Sequence, residues 1–213
     1  MITGNAAGGR PWRLACLWLT ALGVFFFLSY GFANWEASKQ HDLPFIAFGW
    51  ERWIPFLPWT IVPYMSIDIF YVASLFLCNT RETLNAHAQR LLLAQASAVS
   101  IFLLFPLQYG PLKDELERPM ARGAFEFLFQ ALKMVDQPFN MAPSLHAALT
   151  VVLLAKYSEY LRGIPRVLLL GWFVLVELST LTTYQHHAFD LVTGVLLGIL
   201  CSWGSLNFGR RAA

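Results

Sequence analysis

The sequence predicts an all-α, polytopic membrane protein, and three observations predict it. Of 213 residues, 57% are hydrophobic and 13% charged, where soluble domains carry about 25% charged residues. Six apolar stretches approach the roughly 20 residues that a spanning helix needs. Lys and Arg are unevenly shared between the two sets of helix ends. The expectation is one membrane domain, residues 1–213, with six transmembrane helices and an interfacial helix in a long outer loop.

The first stretch, Leu14–Ala33, follows Arg10 and Arg13 as the core of a signal peptide would. It is long for that role and lacks a small-residue cleavage pattern, so it reads as a retained helix. Trp59–Cys78 and Leu91–Gln108 follow, then the long loop 109–144, then Leu145–Leu161, Val167–Tyr184 and His187–Asn207. Within the loop, Arg122, Glu126, Gln130, Lys133 and Gln137 recur at helical spacing among Phe125, Phe127, Leu128, Phe129, Leu132 and Met134. A helix with a narrow polar stripe suits the membrane interface; an ordinary loop helix packed on the bundle fits equally. Trp35, Trp50, Trp53 and Trp59 mark the outer interface beside the first two spans. Gly194 and Gly198 make a GxxxG step, expected to serve close packing within the monomer.

Orientation follows from the cations. Arg10, Arg13, Arg81, Arg90, Lys156, Arg162, Arg166, Arg210 and Arg211 collect at one set of ends, with Glu82 and Glu159 as the acids there. Lys39, Arg52, Lys113, Arg118, Arg122 and Lys133 lie at the other, diluted by acids. The first set is expected to be cytoplasmic, with both termini inside. The net charge of +2 comes without any basic run, which argues against nucleic acid. Cys16, Cys78 and Cys201 lie apart in apolar segments, so neither a disulfide framework nor a thiolate metal site is expected.

The outer face gathers the chemistry. The fourth span starts there with Ser144 and His146, and the fifth returns there with Ser179, Thr180 and the pair His186-His187 before Asp190. His186 and Asp190, four apart, would share a helical face, so Asp190 can hold Nδ1 and free Nε2 as a nucleophile. Lys113 and Arg118 offer charge for phosphoryl oxygens. His146 can give a proton to the departing oxygen, and Ser144 with first-turn N–H groups can hold a phosphate oxygen. With side-chain cations doing this work, no metal and no cofactor are expected. His187 either lines the pocket or caps its helix; His41 and His87 read as interface residues.

"PSLHA" at Pro143–Ala147 and the spacing Ser179, His186, Asp190 resemble the type 2 phosphatidic acid phosphatase family, which includes vanadium haloperoxidases. The family pattern is Lys-x6-Arg-Pro, then Pro-Ser-Gly-His, then Ser-Arg-x5-His-x3-Asp. The resemblance implies six spans, a site at the outer face, His186 as the nucleophile that forms a phosphohistidine, Asp190 orienting it and His146 as general acid. It makes Arg118, Lys113, Ser144, Ser179, Thr180 and His187 the expected substrate contacts. The chain departs from the pattern in the Lys113–Arg118 spacing, in Leu145 for the glycine and in Thr180 for the arginine. Leucine after the motif serine, Leu145 after Ser144, and the paired histidines before Asp190 look closer to the inositol phosphorylceramide synthase branch, which transfers a head group between lipids. The expectation is therefore a phosphatase acting on a lipid phosphate, with a phosphotransferase of that branch as the alternative. A transporter with a degenerate site is the alternative of another class; it would show a polar path through the membrane. The site is expected to face the periplasm of a bacterial inner membrane. Asp68 and Glu177 lie inside spans, where ionisable groups are costly and face the interior. Zinc on two histidines and Asp190 is the weakest reading, since no HExxH or cysteine set accompanies them.

Overall fold

The computed structural model describes residues 9–110, 123–135 and 137–210, with side chains to residue 203. Seven helices are present among these residues and no strand: α1 Trp12–Ser38, α2 Ile61–Phe76, α3 Arg81–Leu104, α4 Glu126–Val135, α5 Leu145–Ser158, α6 Gly163–Thr182 and α7 Ala188–Arg210. Three are long and apolar enough to cross a membrane: α1, Pro58–Phe76 (a short 3-10 turn running into α2) and α6. Leu145–Ser158 and Ala188–Trp203 are shorter apolar helices.

The boundaries correct the sequence reading in two places. The third predicted span, Leu91–Gln108, is part of a helix that begins at Arg81 and stops at Leu104. Its first turns carry Asn85 and His87, which hide it from a hydropathy scan, but Thr80 and Thr83 cap each other's backbone N–H groups at 3.2 and 3.3 Å and fix its start. Gln108 instead lies in a loop, bridged to Phe139 and bonded through its amide to the Leu43 carbonyl at 2.6 Å. His87, read as an interface residue, is 1% exposed, with Nε2 on the Ser74 hydroxyl at 2.8 Å.

The bundle has a mostly apolar core that also buries polar side chains, and its outside is apolar as well. Ser74, Gln95, Thr150, Ser179 and Thr180 are buried, while Phe27, Leu28, Ile69, Val167, Leu168, Leu196 and Leu200 are exposed. An outside of this kind is unlike that of a soluble bundle and fits an apolar solvent. The tightest seam joins α5 and α7, which run parallel. An added Cβ on Gly194 would stand 2.3 Å from the Ser144 carbonyl oxygen, and one on Gly198 would stand 2.6 Å from that of Ala148. The GxxxG step therefore packs within the monomer, and only glycine lets the two backbones approach this closely.

The end of the bundle that holds Ser144 is roofed by loops. Residues 39–60 cross it with a 3-10 turn at Glu51–Trp53. The α4 helix, inside the predicted 121–137 segment, sends Phe129 into a cluster with Phe56, Ile61 and Tyr64 and leaves Phe127 and Met134 exposed. It is packed on the bundle by one face. Ala121 and Arg122 lie outside the described residues.

Candidate active site

The site is assembled from the start of α5 and the turn between α6 and α7. Ser144 is the N-cap of α5: its hydroxyl accepts the Ala147 N–H at 3.2 Å. Its own N–H donates to the Asp190 carbonyl at 2.9 Å. One residue thus fastens the first turn of α5 to the first turn of α7. His146 follows in that turn, its ring stacked on Tyr64 with centroids 4.3 Å apart and planes at 19°. Its Nε2 is buried and has no hydrogen-bond partner.

At the other edge, α6 ends because Tyr184 takes a left-handed φ of 54°. The N–H groups of Gln185 and His186 then both donate to the Thr180 carbonyl, at 2.9 and 3.1 Å, which closes the helix and reverses the chain. The Tyr184 hydroxyl donates to the Ile54 carbonyl at 2.8 Å and holds the turn against the roof. His186 therefore precedes α7 rather than riding on it. The expected helical face shared by His186 and Asp190 is replaced by a cap: Asp190 Oδ2 accepts the His187 N–H at 2.8 Å, as an acid in a first helical turn does. The same oxygen lies 3.6 Å from His186 Nδ1. That is a charge-pair distance, too long for a hydrogen bond, and Nδ1 has no other partner.

His187 points elsewhere. Its Nδ1 is bonded to Glu51 and its Nε2 to the Tyr109 carbonyl at 2.8 Å, with the ring stacked on Tyr109 at 4.2 Å. Glu51 also accepts the Ala188 N–H at 3.3 Å. His187 and Glu51 thus tie the roof to the start of α7, and both ring nitrogens are occupied. Ser179 and Thr180 are fully buried and turn their hydroxyls back on their own helix, to the carbonyls of Val176 at 2.5 Å and Glu177 at 2.7 Å. Lys113 and Arg118 lie outside the described residues.

His146 and His186 line one cavity of about 370 Å³, bounded by α1, α2, α3, α4 and α5. Most of its wall is apolar, including Phe26, Phe27, Met65 and Leu132. Asn140 stands in it near the histidines. Its Nδ2 donates to Asn34 Oδ1 at 2.8 Å, and its Oδ1 is buried without a partner. The sequence reading passed over Asn140 and Asn34. The available signal was an asparagine directly after the first apolar stretch, which needs a polar partner if the helix runs on, and another just ahead of Pro143. Asn140 takes φ 61°, a conformation asparagine tolerates better than most residues. Glu177, singled out as an ionisable group within a span, has both carboxylate oxygens buried without hydrogen bonds, close to Thr150 and His186.

This arrangement offers two imidazoles with open nitrogens, a carboxylate behind one of them, and an apolar chamber leading to both. Among the described residues no group of three His, Cys, Asp or Glu is placed to hold a metal ion. A search of curated proteins gave no match. The sequence model described as PAP2 superfamily matches residues 59–203, a stretch that runs from the start of the second helix into the last and includes Ser144, His146, Ser179, His186 and Asp190: the chain belongs to the PAP2 superfamily.

Proposed function

We propose that the protein is an integral-membrane phosphatase that removes phosphate from a lipid phosphate through a phosphohistidine. The observation that carries this reading is that His146 and His186 share one largely apolar cavity, with Asp190 3.6 Å behind His186. In the proposed reaction His186 Nε2 attacks phosphorus and the bond from phosphorus to the lipid oxygen breaks. The lipid oxygen leaves with a proton from His146. Water then attacks the phosphohistidine, giving its proton to His146, and inorganic phosphate departs as the P–N bond breaks. Asp190 fixes the His186 ring and favours the imidazolium-like charge that develops on attack. Lys113 and Arg118 receive the phosphoryl oxygens, while Ser144, fully buried and with its N–H given to the Asp190 carbonyl, holds the turn that carries His146. Ser179 and Thr180 support the turn that carries His186, and His187 anchors it.

On this reading α1, α2, α3, α5, α6 and α7 are the six spans, and the lipid reaches the cavity sideways, past the exposed Phe27 and Val72 that border it. The histidine end faces outward, to the periplasm if the membrane is a bacterial inner one, with the exposed Trp50 and Trp53 at the outer interface and both termini cytoplasmic. The α4 helix lies at that interface over the chamber.

The test is incubation of detergent-purified protein with a panel of lipid phosphates, measuring released phosphate and head-group transfer together, with ceramide and inositol lipids as added acceptors. Phosphate release abolished by His186→Ala supports the phosphatase. Transfer without release favours the phosphotransferase branch, and neither product from folded protein overturns the enzymatic reading.

A further inference from the structure

The cavity does not become uniformly apolar away from the histidines. On α2, Tyr64 stacks on His146, and the same face continues through Asp68 and Tyr71, both of which line the cavity. At the helical rise of 1.5 Å per residue these lie about 6 and 10 Å further along than Tyr64. Gln95 of α3 reaches the cavity at this depth, beside the Tyr71 hydroxyl. Gln95 is 3% exposed and its Oε1 is buried without a hydrogen-bond partner, while the Tyr71 hydroxyl, also buried, has the Gln95 side chain as its polar neighbour. Asp68 lines the cavity as an exposed side chain, not a buried one, and forms no ion pair among the described residues.

A chamber that only sheathed hydrocarbon would leave these groups uncompensated. Each buried polar group without a partner costs about 1–3 kcal/mol, and a carboxylate within a span costs more. The Asp68 carboxylate and the Gln95 carbonyl oxygen are acceptors, and the Tyr71 hydroxyl serves either way. Their complement is a group that donates. An ester can accept from the Tyr71 hydroxyl but cannot satisfy the Asp68 carboxylate or the Gln95 oxygen. A hydroxyl or an amide N–H can.

We propose that Asp68, Tyr71 and Gln95 form a second polar subsite, which binds a hydrogen-bond-donating hydroxyl or amide in the hydrophobic part of the lipid, one to two helical turns from its phosphate. This rests on the reading of the histidine end as the phosphate site and adds a substrate class to it: amide- or hydroxyl-bearing lipid phosphates over plain diesters.

The test compares ceramide 1-phosphate, which carries an amide N–H and a hydroxyl, with phosphatidic acid, which carries esters alone. Two readouts are taken on purified full-length protein: thermal stabilisation by each lipid and kcat/KM for phosphate release. Wild type should favour ceramide 1-phosphate by about tenfold or more in kcat/KM, the worth of one or two hydrogen bonds, and should be stabilised more by it. Gln95→Met and Tyr71→Phe, which keep the shape and remove the polar atom, should each pull that ratio towards one. Should Gln95→Met fail to fold, Tyr71→Phe decides. Equal stabilisation by the two lipids in wild type, or a preference untouched by the variants, overturns the subsite. Lipid-specific stabilisation without phosphate release from either lipid keeps the subsite and removes the phosphatase.

Discussion

The two halves of the bundle are packed to opposite ends. Along the α5–α7 seam, glycines let backbone meet backbone, and Ser144 donates directly to the Asp190 carbonyl. Along α1 and α2, side chains stand apart around a chamber, and a Cβ on Gly23, which lines it, would meet nothing within 4 Å. The difference assigns work. Groups that must hold a geometry to fractions of an ångström belong on the close-packed half, because cores of that density have nowhere to move. On the proposed function a flexible hydrocarbon needs room, and the loose half supplies it. His146 and His186 sit where the halves meet, fixed from one side and reached from the other.

The largest effects are expected from the reacting groups held by the rigid half. His186→Ala should abolish phosphate release from both a lipid phosphate and an activated aryl phosphate, and no acid-labile phosphate should be trapped on the quenched protein. Asp190→Asn should fall close to it, since it weakens both the cap and the charge behind the ring. His146→Ala should lose about 10²–10⁴-fold on the lipid, the usual worth of a general acid, yet recover on an aryl phosphate whose leaving group needs no proton. Rescue of His186→Ala by the aryl phosphate would reverse the assigned roles.

Next comes the seam itself. Gly194→Ala drives a methyl into the Ser144 carbonyl, and overpacking of this kind costs about 1–3 kcal/mol. A lower melting temperature should accompany a fall in turnover, because the shifted group is the cap that sets His146. Unchanged melting and turnover would mean that the seam is not rigid. The mirror substitution on the loose half, Gly23→Phe, should behave differently. It should leave melting level or higher, since a helical glycine costs roughly 0.5–1 kcal/mol. It should also lower the ratio of long-chain to short-chain lipid turnover by about tenfold, as one to two lost hydrocarbon contacts would. The smallest effect is expected at the roof. Glu51→Gln keeps the shape and both contacts to His187 and Ala188 but removes the charge, a loss of about 0.5–1.5 kcal/mol, the gap between charged and neutral hydrogen bonds, and should lower the melting temperature by a few degrees.

The sequence disclosed the rigid half far better than the loose one. Ser144, His146, His186 and Asp190 announced themselves because their spacing is local: each pair of partners lies within a helical turn of its motif. GxxxG was readable for the same reason. The chamber was not readable, because it is made by five helices whose apolar residues look alike from outside. Gln95 and Tyr71 matter only through being brought together, and Asn34 and Asn140 are more than a hundred positions apart. Even within the motif, spacing misled in one respect. The separation of His186 and Asp190 suggested a helix face, whereas the left-handed Tyr184 breaks the helix there and a capping bond brings the two together. The start of α3 escaped the hydropathy reading because its first turns carry the exposed Arg81, Glu82 and Gln89 together with Asn85 and the buried His87, which dilute the signal of a helix that is part of the packing.

The bond from the Ser144 N–H to the Asp190 carbonyl also has a consequence in time. The ribosome makes α5 well before α7, so the first turn that carries His146 exists for a while without the partner that steadies it. Membrane insertion in hairpins would bring α6 and α7 in after α5, and only then do Ser144, His186 and Asp190 meet. On the proposed chemistry, a nascent chain is inert towards the surrounding lipid until α7 has docked. Loss of α7 by truncation would leave His186 in place but without Asp190 behind its ring and without the bond that steadies the turn of His146, so on the proposed chemistry it is the docking of α7 that arms the site.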